Sequence, residues 1–60
     1  MTPTDALTLL IRRTDAMGYD RSDCTSDLFL IRADAIQALR LLGFGWNWRK
    51  AEPVALKEQA

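Results

Sequence analysis

The stretch Leu28–Phe44, LFLIRADAIQALRLLGF, decides how this 60-residue chain is read. Leu28, Ile31, Ala35, Ala38, Leu39 and Leu42 recur at spacings of three and four, the stripe of an amphipathic helix. Phe29, Ala33 and Ile36 form a second apolar strip beside Arg32, and Leu30 and Leu41 point in a third direction. A helix apolar in several directions is a buried helix. One neighbouring helix covers only one strip, so the surplus points to a further partner. Full burial of Phe29 and Ile36 would contribute roughly 1.5–3 kcal/mol each, a large part of a small domain's net stability.

A second reading of the same stretch makes Leu28–Ile31 a strand, with Asp34 capping a shorter helix and Gln37 reaching back to it. Phe44, Trp46 and Trp48 alternate with Gly45, Asn47 and Arg49, which is strand periodicity. Two strands near 28–31 and 44–49 would give a small α+β domain. The all-helical reading is preferred because the 3.6-residue stripe continues from Leu28 to Leu42.

Upstream, Thr4–Met17 reads as a first amphipathic helix, with Ala6, Leu7, Leu10, Ile11, Thr14 and Met17 on one stripe. Thr2 is placed to cap it, Pro3 suits its first position, Asp5 complements the dipole, and Gly18 can end it. The connector Tyr19–Ser26 is rich in turn formers, and so short a loop makes the two helices antiparallel neighbours. Ser22 and Thr25 both compete to cap the second helix, with Asp23 or Asp27 near its positive end. Gly43 is the expected stop of that helix. Downstream, residues 50–60 read as a fraying tail, in which Pro53 could open a terminal turn or two of helix.

The expected architecture is therefore one small all-α domain over residues 1–60. It is a helical hairpin, about Thr4–Met17 against Ser26–Leu42, with an aromatic segment folding back over one end. Sixty residues lie where a single core is marginal and staples or assembly make up the deficit. Cys24 is the sole cysteine and histidine is absent, which removes internal disulfides and argues against structural zinc. Assembly is the remaining route, and a homodimer, two hairpins sharing a four-helix core, is the first expectation.

Eight basic residues balance eight acidic ones. Nucleic-acid affinity rests largely on neutralising phosphates, so the balance argues against a dedicated nucleic-acid binder. Neither a signal peptide nor a membrane span is legible, and a lone cysteine fits a reducing compartment. A soluble cytoplasmic protein is the expectation.

No motif for catalysis, metal or nucleotide binding stands out. Asp20, Asp23 and Asp27 lack the spacing, central glycine and closing glutamate of a calcium loop, and helix capping accounts for them. Cys24 has no histidine to serve as its base. Trp46 and Trp48, followed by Arg49 and Lys50, form the most suggestive cluster, because tryptophan and arginine are enriched at binding hot spots. The plainer reading folds both indoles back as a lid on the helical hairpin. Arg32 and Arg40 lie among the apolar strips, either paired with acids across an interface or laying their stems over Phe29 and Ile36 with their heads in water. Arg12 can pair with Asp15 along the first helix.

The function expected is a non-enzymatic protein-interaction module without cofactor or small-molecule substrate. Such a chain would serve as a small regulator, adaptor or inhibitor docking an apolar, arginine-studded face on a larger protein. Its candidate contact residues are Phe29, Arg32, Ile36, Arg40, Trp46, Trp48 and Arg49. The alternative is a small dimeric nucleic-acid-binding regulator using Arg12 and Arg13 or the Trp48–Lys50 segment. Weaker still is membrane attachment through the second helix, which lacks a clear basic face.

Overall fold

A computed structural model of the chain describes residues 1–56. Two helices, α1 (Pro3–Ala16) and α2 (Asp27–Leu41), are followed by a hairpin of two short strands, β1 (Phe44–Asn47) and β2 (Glu52–Ala55). The helices are where the apolar periodicity puts them. The purely helical architecture is corrected to α+β, and Leu28–Ile31 is helix rather than strand. The strand alternation at Phe44 and Trp46 is real, although β1 stops at Asn47 instead of running to Arg49.

Local chemistry sets each boundary. Thr2 caps α1 by accepting from the Asp5 N–H at 3.1 Å, while the Asp5 carboxylate reaches back to the Thr2 N–H. This capping box satisfies two N–H groups that the first turn would otherwise leave unpaired. Gly18 (φ 90°) and Gly43 (φ 89°) follow the two helices in the left-handed region, where a side chain would be strained.

The cap of α2 is Ser26, not Ser22 or Thr25; its hydroxyl accepts from the Phe29 N–H at 3.1 Å. Ser22 and Thr25 instead donate their hydroxyls to Asp20 and Asp23, each closing a small turn within the connector. The Ser22 hydroxyl, and then its N–H, hold the Asp20 carboxyl below its ordinary range. Only Asp27 lies in the first turn of α2, so helix capping does not account for the whole aspartate group.

The C-terminal half of the chain holds the main surprise. Phe44 pairs with Ala55, Gly45 with Val54, Trp46 with Pro53 and Asn47 with Glu52, in antiparallel register. Thus Pro53 and Val54 are strand, not the start of a terminal helix, and the expected fraying tail is ordered at least to Ala55; residues 57–60 lie outside the described residues. Proline is tolerated because a two-stranded ribbon consists only of edges. The Asn47 side chain accepts from the N–H groups of Arg49 (3.0 Å) and Lys50 (3.2 Å), and Ala51 takes a left-handed φ of 52° to complete the turn.

Ile11, Ala35 and Leu39 form the buried core, with Leu7, Ile36, Phe44 and Trp46 packed around it. Thr14 meets Arg32 while Ile11 packs with Ala35 and Leu39, so the helices run antiparallel. The β-hairpin lies across one side of this helix pair. Phe44 and Trp46 turn inward, and Arg12 of α1 donates its Nε to the Ala51 carbonyl at 2.8 Å. An isolated two-stranded hairpin is marginal in water; here the helices hold it.

Candidate interaction surfaces

Arg32 organises the covered side of the molecule. It is a charged residue only 4% exposed. Its guanidinium pairs with Asp15 and also donates to the Thr14 hydroxyl (3.1 Å) and the Ile11 carbonyl (3.3 Å). The Tyr19 ring lies 4.3 Å from the guanidinium carbon and the Trp48 ring 4.8 Å from it. A buried charge needs a partner and hydrogen bonds, and the aromatic faces add cation–π attraction. Tyr19 stacks in turn on Phe29, with ring centroids 6.1 Å apart. One side chain thereby joins α1, the connector, α2 and the tip of the β-hairpin.

This arrangement revises the sequence reading of both arginines. Arg32 neither lays its head in water nor waits for an acid from another molecule, because its acid is Asp15 of the same chain. Arg12 does not take Asp15; it binds the backbone of Ala51. The buried Nε of Arg32 and the indole N–H of Trp46 have no hydrogen-bond partner among the described residues.

The seven candidate contact residues fall into three groups. Phe29 and Trp48 are both joined to Arg32, Phe29 through Tyr19 and Trp48 directly. Ile36 and Trp46, both half-buried, pack on the core beneath the hairpin. Arg40, in the last turn of α2, and Arg49, in the hairpin turn, are exposed. Trp48 remains 60% exposed although one face covers Arg32, so it is only in part a lid. Its indole, with Trp46, Asn47, Arg49, Val54 and Leu56, borders a shallow groove of about 500 Å³. Gly45 forms the floor: a Cβ there would lie 3.1 Å from Leu56.

A second surface lies on the opposite side of the helix pair. Leu10 (39% exposed), Ile31 (42%) and Leu42 (46%) belong to the stripes expected to bury against the neighbouring helix. They instead face away from the β-hairpin, with the exposed Ala6 and Met17 on the same side of α1, while the exposed Leu30 and Leu41 of α2 point outward from the helix pair. The helices meet through a face rotated toward Thr8, Thr14 and Arg32, all buried. Thr8 and Thr14 satisfy their hydroxyls on backbone carbonyls one turn back, Thr4 and Ile11, which lets Thr8 join Thr14, already on the expected stripe, in the seam.

Cys24 is exposed. Among the described residues no His, Cys, Asp and Glu side chains gather as a metal site would need, and no helix is long and apolar enough to cross a membrane. No known protein family, curated protein or solved structure matches this chain.

Proposed function

We propose that this chain is a non-enzymatic protein-interaction module, a small regulator, adaptor or inhibitor that works by covering part of a partner protein. The observation that carries the reading is a disproportion. Three apolar residues are buried, while eleven large apolar side chains among the described residues stay exposed. Contiguous apolar surface on a small chain marks an interaction site.

The groove of the β-hairpin suits this role. It joins an exposed indole, an arginine and two aliphatic side chains on a ribbon that has no third strand among the described residues. Protein is favoured over nucleic acid because Arg12 and Arg32 are already engaged within the fold. Trp48 also has one face committed to Arg32, which limits it as a stacking platform.

The test is affinity capture by the immobilised protein against Val54→Asp, a change on the exposed face of β2 that leaves the core untouched. Saturable, stoichiometric capture of a defined protein, lost in Val54→Asp, is the expected result. Capture that Val54→Asp leaves intact would reject the groove, and salt-steep capture of nucleic acid alone would reject the protein reading.

A further inference from the structure

We infer that the bare face of the helix pair is the seam of a symmetric dimer, with Arg13 of each copy paired to Asp34 of the other. This inference concerns the face opposite the β-hairpin and does not depend on the proposed use of the groove.

The first observation is the composition of the face. Leu10, Ile31 and Leu42 stand partly exposed along it, and Asp34 lies among the apolar residues of α2, one turn from Ile31 and Ala38. A carboxylate set in an apolar strip has no use for a dry partner unless a cation arrives with it. Arg13 is the cation on this side of α1, bordering the same hollow as Ala6 and Leu10. Arg32–Asp15 is the only ion pair among the described residues, so Arg13 and Asp34 are both unpaired there. One edge of the face is basic and the other acidic, as a self-complementary surface requires.

Register supplies the second observation. The Arg32 guanidinium reaches Ile11, Thr14 and Asp15, and Ile11 shares one cluster with Ala35 and Leu39. Counting along antiparallel helices from these contacts places Arg13 near the level of Ala33 and Asp34. A two-fold axis parallel to the helices, lying in the bare face, sets α1 of one copy over α2 of the other without any shift along the axis. Arg13 then falls on Asp34 of the second copy, and the symmetric contact repeats the pair. The same operation brings Met17 to the level of Phe29 and Leu30, and Ala6 to that of Arg40 and Leu41. Polar and apolar residues are matched by a single rotation. A perpendicular in-plane axis would lay α1 on α1 and α2 on α2, keeping Arg13 and Asp34 on separate helix contacts.

Area is sufficient. A standard interface takes about 800 Å² from each partner, roughly a sixth of the 4689 Å² that this chain exposes. A molecule of 36 × 25 × 19 Å has that much on one broad face. The product is a four-helix core with a β-hairpin on each outer side, both grooves left open.

Sedimentation equilibrium over a concentration series, with reducing agent present, tests the inference. Wild type is expected to be dimeric. Arg13→Glu and Asp34→Arg should each weaken association by about a hundredfold, since like charges then meet across the seam. The double variant Arg13→Glu/Asp34→Arg should recover it, with circular dichroism confirming that each variant keeps its helices. A wild type that stays monomeric at every concentration overturns the inference. So does a dimer indifferent to both charge reversals, or one dissolved by Val54→Asp instead. If the dimer forms as stated while Val54→Asp captures partners as wild type does, the seam stands and the groove reading falls.

Discussion

The two sides of the helix pair are built from similar residues and end in opposite states. On one side a β-hairpin lies across Ile36, Leu39 and Arg32, and a charged residue is 4% exposed. On the other, Ile31 and Leu42 of the same helix remain nearly half exposed. Hydrophobicity does not separate them, because the aliphatic side is the bare one. The decisive difference is what the following residues of the chain can reach. One glycine turns β1 back along one side of α2, and Arg32 offers that strand's tip a cation on which to lay an indole. Nothing among the described residues reaches the other side.

The largest effect that would break this comparison is expected from Arg32→Ala. Removing the side chain deletes three hydrogen-bond contacts and the platform for two rings. Asp15, 43% exposed, can rehydrate, which places the cost near the low end of that for a broken buried pair, about 3 kcal/mol. That is comparable with all the stability a chain of this size commands, so thermal melting should lose its cooperative transition. Arg32→Met keeps the stem and most of the volume and should retain a cooperative, lower melt.

Trp48→Ala is expected to cost less, about 1–2 kcal/mol, because the indole is mostly exposed and only its cation–π contact with Arg32 is lost. The melt should shift down and stay cooperative; no shift would show that the indole contributes nothing to holding the hairpin down. Least of all should Ile31→Ser disturb the isolated monomer, within about 0.5 kcal/mol. Measured by denaturant unfolding at a dilution where the chain is monomeric, a loss as large as that of Arg32→Ala would mean that the two faces are not different after all.

Much of this architecture is legible in the residues, and the part that is not has a physical cause. Thr2, Pro3, Asp5, Gly18 and Gly43 mark helix ends because capping depends on near neighbours alone. The alternation at Phe44 and Trp46 marks a strand for the same reason. Helix rotation is different. Periodicity places Leu10, Thr14, Ile31 and Leu42 at the seam; Thr14 is there, but Thr8 takes the place of Leu10, because both threonines hide their hydroxyls on their own helix and pack at little cost. The Arg32 cage escapes a reading of apolar stripes because its members are scattered. Asp15 lies on α1, Tyr19 just past the glycine that ends it, and Trp48 in the turn after the first strand. Tyr19 is the sole aromatic of the connector, a signal that gains meaning only when the antiparallel packing sets it beside Arg32. Six of the seven candidate contact residues are aromatic or cationic and so visible in the sequence, Ile36 being the exception; the bare face is invisible until the hairpin is seen to choose a side.

The placement of the two indoles gives the protein a pair of built-in optical reporters. Trp46 packs against the core with its N–H out of water, whereas Trp48 keeps most of its surface in solvent over a fixed cation. Emission from the first belongs at the blue edge of the spectrum and from the second at the red. Unfolding shifts the blue component as the core opens, while a ligand settling in the groove shifts the red one and leaves the core signal standing. A single fluorescence titration can therefore tell occupancy of the hairpin from loss of the fold, with no label attached.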